Sequence, residues 1–176
     1  MDIAGIAHLA AIKSRIPFLH FFDGFRTSHE LLKVEAMDQD NLAKLIDYDS
    51  LQKYRLNALN PEHPVTRGTA QNPDIYFQSR EASSKFYDAV PDMVEDYMQE
   101  IKNITGREYH PFTYYGAKDA ENIIVAIGSV TDVIKEVIDF KNAAGEKLGL
   151  ITVHLYRPFS EKYFMKVFPK TVKRIA

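Results

Sequence analysis

The pattern that most constrains the fold lies in the last third of the chain, where two apolar segments flank an amphipathic one. Residues 123–127 are continuously apolar, as is typical of a strand covered on both faces. A turn at Gly128-Ser129 leads into a segment with apolar residues at helical spacing, which ends near Gly145. Residues 148–156 are rich in β-branched residues. A strand, a helix and a strand of these lengths predict a right-handed βαβ unit in an α/β fold.

Three other segments have apolar residues at helical spacing, namely residues 5–14, 38–47 and 84–103. Pro91 interrupts the last of them, so we expect two helices there, the second beginning near Pro91. Residues 57–80 are instead rich in turn residues and show no clear periodicity. A segment of that length is usually functional or connects domains, and we expect an ordered connector at a domain boundary.

Three runs predict additional strands. The aromatic-rich run 16–22 has the composition of a buried strand, and residues 31–36 and 173–176 predict two shorter ones. The first run stops at Asp23-Gly24, and five consecutive polar residues, 26–30, follow it closely. Ligands of α/β folds bind at the carboxyl ends of strands, where an arginine can bind an anion and a His/Glu pair can transfer a proton. The alternative is a plain turn whose Asp and Arg pair with each other or satisfy backbone groups.

Three further motifs have a functional interpretation and a structural one. Gly128-Ser129 either presents backbone N–H groups to a phosphate or forms a bare turn with Ser129 as the helix N-cap. Arg67-Gly68-Thr69 is either part of a site or subunit contact or, as we favour, part of a packed connector. For Arg157-Pro158-Phe159-Ser160 we favour a strand terminator over ligand contact.

Composition excludes several classes of function. The chain has 176 residues and a net charge of −2, which gives no electrostatic basis for binding nucleic acid or an anionic membrane. No apolar run approaches the roughly 20 residues of a membrane span, and the N-terminus lacks the features of a signal peptide, so we expect a cytoplasmic protein. The absence of cysteine excludes disulfides and thiolate-bound metal clusters on this chain, and the six scattered histidines predict no metal site.

Four peptides carry a more specific signal: residues 18–30 (FLHFFDGFRTSHE), 60–64 (NPEHP), 67–78 (RGTAQNPDIYFQ) and 155–160 (LYRPFS). In sequence, order and spacing they resemble segments of the pyruvate:ferredoxin (flavodoxin) oxidoreductases, and the resemblance covers essentially the whole chain. Lys118 stands where this resemblance leads us to expect proline.

The resemblance implies a fold and a division into domains. Residues 1–58 would be the end of a pyrimidine-binding thiamine domain, an incomplete α/β remnant. Residues 59–176 would form a three-layer αβα domain with a mostly parallel sheet, similar to the C-terminal domain of transketolases, without its last elements.

The resemblance also implies a reaction, and most of the residues that carry it out would lie outside this chain. The family oxidatively decarboxylates pyruvate on thiamine diphosphate with magnesium, reduces ferredoxin or flavodoxin through iron–sulfur clusters, and forms acetyl-coenzyme A. In the family, the cofactor-activating glutamate and the pyruvate-contacting arginine come before the part of the enzyme that this chain resembles. The family's diphosphate-binding domain and cluster-binding cysteines come after that part. The resemblance therefore assigns no catalytic residue, and no cofactor to this chain alone. Asp23, Arg26, Thr27 and His29 would border the thiamine or coenzyme A site.

From these features we expect a fragment or split part of such an oxidoreductase, inactive alone, whose partners are the remaining enzyme domains or a second copy of itself. The alternative is a non-enzymatic interaction module or truncated relic that self-associates. A free-standing nucleotide-binding domain would rest on Gly128-Ser129 alone.

Overall fold

A computed structural model describes residues 1–66, 68 and 70–176, and only the backbone of Arg26. Two members of the Arg67-Gly68-Thr69 motif and the Arg26 side chain thus lie outside the described residues. The chain forms two compact units, of which the first comprises residues 1–19 and 36–105 and the second residues 20–35 and 106–176. No helix in the described part is long and apolar enough to cross a membrane.

Eight helices and four strands are assigned among the described residues. The helices are α1 (Asp2–Ser14), α2 (Arg26–His29), α3 (Gln39–Lys44), α4 (Tyr48–Leu56), α5 (Pro73–Asp88), α6 (Val90–Thr105), α7 (Val130–Ala143) and α8 (Glu161–Val167). The strands are β1 (Phe112–Gly116), β2 (Asn122–Ala126), β3 (Leu148–Val153) and β4 (Arg174–Ile175).

The first unit is helical, and its core lies between α1 and α6. Apolar residues at helical spacing place one buried stripe on α1 and one on α6. The buried side chains are Ile6, Leu9, Ala10, Val90, Val94, Tyr97, Met98 and Ile101. Local chemistry fixes the helix starts: the Asp38 carboxylate accepts from the backbone N–H of Asp40 at 2.9 Å to cap α3, and Asp47 accepts from that of Ser50 at 2.8 Å to cap α4.

The second unit contains a four-stranded sheet in the order β1-β3-β2-β4. β2 pairs in parallel with both β3 and β4, whereas β1 runs antiparallel to β3. The predicted βαβ unit is therefore confirmed as β2, α7 and β3. The short strand predicted at residues 173–176 is confirmed as β4, hydrogen-bonded beside β2.

Helices cover both faces of this sheet. On one face, Phe112, Ile123 and Ile151 pack against α8 and the residues after it. The Phe112 ring centroid lies 5.4 Å from that of Phe164. Because strand side chains alternate between faces, Tyr115 belongs to the opposite face, where its hydroxyl donates to Asp139 of α7. The expected three-layer α/β architecture with a mostly parallel sheet is confirmed.

The strands predicted before residue 58 are wrong. Residues 16–22 and 31–36 have no regular structure, and Leu19, Phe21 and Phe22 are exposed rather than buried. The described part of residues 1–58 thus contains helices and no strand. The connector predicted at residues 57–80 is wrong in part, because α5 begins at Pro73 and the described residues of this range are exposed rather than packed. The two helices separated near Pro91 are confirmed. The two compact units do not divide at residue 58, and the assignment of residues 1–58 and 59–176 to two family domains stays a prediction.

Candidate functional site

Two of the sequence motifs meet at the carboxyl end of β2. After Ala126 the chain turns at Gly128-Ser129 and enters α7, and the side chain of Asp23 lies against this turn. The Asp23 carboxylate accepts hydrogen bonds from the Ser129 backbone N–H at 3.2 Å and from the Ser129 hydroxyl. It also accepts from the Thr27 hydroxyl at 2.9 Å. This is the edge of the sheet at which α/β folds place their ligands.

Glycine at position 128 allows this close approach. Its φ of +84° is unfavourable for other residues, and an added Cβ would lie only 3.3 Å from the Asp23 Oδ1 atom. The hydrogen bonds from Ser129, first its hydroxyl, and then from Thr27 lower the pKa of Asp23 to about 2. The carboxylate is therefore ionised at neutral pH and acts as an anion held at the start of α7.

Ser28 and His29 make contacts within the segment itself. The Ser28 hydroxyl donates to the Phe25 carbonyl oxygen at 2.9 Å, and the His29 Nδ1 atom lies 2.5 Å from the same oxygen. Because a carbonyl oxygen can only accept, Nδ1 is the protonated nitrogen in this contact. The structure thus brings Asp23, Thr27 and Ser129 together, and places His29 in a separate local cluster.

A thiamine diphosphate site would also need residues that hold a metal ion. Thiamine diphosphate binds with a magnesium ion, which needs several oxygen ligands. In the part of the chain that the structure describes, no group of three or more His, Cys, Asp or Glu side chains is placed to hold a metal ion. The Asp23 carboxylate is already engaged by Ser129 and Thr27. Whether Asp23, Arg26, Thr27 and His29 border a cofactor site stays a prediction.

The Arg157-Pro158-Phe159-Ser160 motif contributes contacts within the chain. Phe159 packs into the core of the sheet unit, with its ring centroid 5.2 Å from that of Phe112. The Arg157 guanidinium lies 5.4 Å from the ring centroid of its neighbour Tyr156. Ser129 occupies the N-cap position of α7, but its side chain caps no helix N–H and bonds Asp23 instead.

Sequence reasoning missed a depression of about 730 Å³ near the amino ends of β2 and β3, whose lining includes several charged residues. The Tyr115 hydroxyl there lies 2.7 Å from each carboxylate oxygen of Asp139, which raises the pKa of Tyr115. The Lys147 ammonium lies 2.6 Å from Asp119. These contacts join residues more than 20 positions apart, and their residue types are ordinary for a surface, so the sequence carried no signal for them.

Comparison with known proteins decides the family. A family model described as pyruvate flavodoxin/ferredoxin oxidoreductase, thiamine diphosphate-binding, matches residues 1–99. A second, described as pyruvate:ferredoxin oxidoreductase core domain II, matches residues 120–176. The chain belongs to the pyruvate:ferredoxin (flavodoxin) oxidoreductase family.

Relatives within this oxidoreductase family match along the whole chain. The pyruvate-flavodoxin oxidoreductase of Enterobacter agglomerans is 62% identical over 176 residues, and the pyruvate:ferredoxin oxidoreductase of Moorella thermoacetica is 55% identical over 176 residues. Each match covers 100% of this chain and 15% of the relative. The chain therefore spans about a seventh of the length of these oxidoreductases. A solved 2-oxoglutarate:ferredoxin oxidoreductase from Magnetococcus marinus aligns with a TM-score of 0.42 and 18% identity, over 65% of this chain and 17% of that one.

Proposed function

We propose that this chain is one part of an enzyme that oxidatively decarboxylates pyruvate on thiamine diphosphate, reduces ferredoxin or flavodoxin, and forms acetyl-coenzyme A. The observation that carries the proposal is the 62% identity to the Enterobacter agglomerans pyruvate-flavodoxin oxidoreductase along all 176 residues. Identity at that level over a whole chain supports the same fold and the same role within the larger polypeptide.

The 176-residue chain is inactive by itself under this proposal. Its candidate carboxylate, Asp23, is held by Ser129 and Thr27, and the described residues include no cluster suited to magnesium. The chain also contains no cysteine to bind an iron–sulfur cluster. Its contribution is to support the thiamine or coenzyme A site, with Asp23, Arg26, Thr27 and His29 at the border of that site.

Titration calorimetry of the purified chain with thiamine diphosphate and Mg²⁺ tests the inactivity. We expect no saturable heat up to millimolar cofactor. Saturable binding, together with pyruvate-dependent reduction of a viologen dye, would show that the chain is a catalytic unit. The full-length relative, titrated in the same buffer, serves as the positive control.

A chimera tests the role within the larger enzyme. This chain replaces the corresponding segment of the Enterobacter agglomerans relative, and pyruvate-dependent reduction of flavodoxin is measured. We expect the chimera to retain activity within about tenfold of the parent. A chimera that folds and binds thiamine diphosphate but reduces no flavodoxin contradicts the proposal.

An exposed apolar stripe on α7 supports association with the rest of the larger enzyme. Val130, Val133, Val137 and Phe140 lie at helical spacing and are 51%, 62%, 49% and 76% exposed. A contiguous apolar surface of this kind is rarely left in water. Because the chain spans only 15% of its relatives, most of the polypeptide that would cover the stripe lies outside the chain.

Sedimentation velocity of the isolated chain tests whether the stripe on α7 is an apolar contact surface. We expect concentration-dependent self-association, because the stripes of two copies pack against each other when the rest of the enzyme is absent. Val133→Asn and Phe140→Asn should both weaken this association. Asp132→Asn on the same helix is the matched control and leaves association unchanged. A strictly monomeric chain that shows no change in any variant contradicts an apolar contact at α7.

A further inference from the structure

The segment 20–35, here called the strap, belongs to the sheet unit but contributes little to its core. Apart from the four-residue helix α2, the strap has no regular structure. None of its described side chains is buried, and its apolar ones are turned to solvent: Phe25 is 84% exposed and Leu31 100%. Segments with few buried apolar contacts open at the lowest free-energy cost in a folded protein.

Two carboxylates, one towards each end, connect the strap to the rest of the unit. Asp23 accepts from the backbone N–H and the hydroxyl of Ser129 at the start of α7. Glu35, whose side chain is 90% exposed, lies 3.9 Å from the Arg107 Nη1 atom. The second contact is a long, solvated ion pair of the kind that contributes little to stability. The Asp23 contact is therefore the principal attachment.

The position of Asp23 gives this attachment a physical basis. Its carboxylate lies where α7 begins, so the partial positive charge of the helix N-terminus and two oriented donors act on it together. Thr27, within the strap, donates to the same carboxylate and fixes its orientation. No comparable set of contacts is found elsewhere between the described residues of the strap and the sheet.

We propose that residues 20–35 are a detachable strap, which leaves the sheet unit while the sheet stays folded, and that Asp23 on Ser129 is the contact that holds it closed. When the strap is closed, the Asp23 carboxylate and the Thr27 hydroxyl are occupied by contacts within the chain. When it opens, both groups become free for another partner. The inference goes beyond the proposed function and does not depend on it.

Limited proteolysis of the full chain with chymotrypsin, read by mass spectrometry, tests the strap. The strap carries exposed Phe21, Phe22 and Phe25 as cleavage sites. We expect Asp23→Asn to speed cleavage at these three sites by about fivefold, the scale of losing a helix-capping side chain. Asp132→Asn is the matched control, since Asp132 is exposed in the first turn of the same helix and pairs only with its neighbour Lys135 at 3.0 Å in the contacts described here.

A distance measurement keeps the test independent of protease access. Because the chain has no cysteine, Phe22→Cys and Glu136→Cys introduce a unique pair for spin labels, both at exposed positions. We expect one narrow distance distribution with Asp23 present and a broadened, longer one with Asp23→Asn, while the amide signals of β3 stay unchanged. The proposal is overturned if neither cleavage nor distance responds to Asp23→Asn, or if β3 loses its structure together with the strap.

Discussion

Replacing Gly149 by alanine tests the tightest packing in the sheet. Gly149 is the second residue of β3, and a Cβ at this position would lie 2.7 Å from the Tyr114 Cε2 atom and 2.8 Å from its Cζ atom, with the hydroxyl closer still. Ordinary carbon–carbon contact begins near 3.5 Å, so the Tyr114 ring must move by about 1 Å. That ring packs against the core cluster of Phe112, Ile123 and Ile151, and its hydroxyl donates to the Ala117 carbonyl.

The cost of the substitution has two sources. Forcing one extra carbon into a packed core costs about 1–3 kcal/mol, and losing the Tyr114 hydrogen bond adds about 1 kcal/mol. We therefore expect Gly149→Ala to lower the free energy of unfolding of the sheet unit by about 2–4 kcal/mol. Urea unfolding followed by the amide signals of β3 measures it, with the signals of α6 reporting the helical unit separately.

A second background shows whether the Tyr114 ring is the cause. In Tyr114→Leu, which has no ring over Gly149, adding Gly149→Ala should cost less than about 1 kcal/mol, because contacting residues are coupled. Gly24→Ala is the control: an added Cβ there meets nothing within 4 Å, and we expect a change within about 0.5 kcal/mol. An equal cost of Gly149→Ala in both backgrounds would refute the steric reasoning.

Two further predictions concern other parts of the chain. Ile101 is fully buried between α6 and α1, so Ile101→Ala should destabilise the helical unit by about 2–5 kcal/mol in thermal unfolding, whereas exposed Asn103→Ala should have little effect. Burial, with Lys135 and His110 nearby, lowers the pKa of His154 in the folded chain. The unfolded chain therefore binds the proton more readily, and the sheet unit should lose stability as pH falls from the ordinary histidine pKa through the lowered one. His154→Gln should reduce the dependence of the unfolding free energy on pH in that range. An unchanged dependence in a folded His154→Gln variant contradicts the assignment of this effect to His154.

The βαβ unit was predictable because its pattern is local and unambiguous. The apolar run of β2, the turn at Gly128 and the apolar periodicity of α7 each determine structure within a few residues. The same holds for the break between α5 and α6 at Pro91. In these segments local preference and tertiary packing agree, which is the condition under which sequence patterns are reliable.

The strand predicted at residues 16–22 shows the limit of that reasoning. Its aromatic composition satisfies β propensity, but propensity is realised only where a neighbouring strand offers hydrogen-bond partners and a buried face. The described structure pairs these residues with no strand, and Phe21 and Phe22 remain exposed. β1 was missed although the first four residues of Phe112–Gly116 favour strands and β1 is as long as β2. Its antiparallel pairing with β3 is a tertiary contact that no local pattern indicates.

For the candidate site, the sequence indicated both motifs but did not indicate that they are in contact. The polar cluster after Asp23 and the turn at Gly128-Ser129 both drew attention by their residue types. The contact between Asp23 and Ser129 spans 106 positions, and no local pattern encodes a hydrogen bond across that distance. Tertiary structure alone shows that the first motif supplies the anion which the second one holds.

The wide sequence separation of Asp23 and Ser129 has a consequence during synthesis of the chain. A ribosome adds about 5–20 residues per second, so Asp23 is incorporated roughly 5–20 s before its partner 106 positions later. Throughout that interval Phe21, Phe22 and Phe25 are displayed on a nascent chain whose sheet does not yet exist. The strap is thus among the first parts of the sheet unit to be made, and its contact with Ser129 can form only after most of the sheet unit has been synthesised.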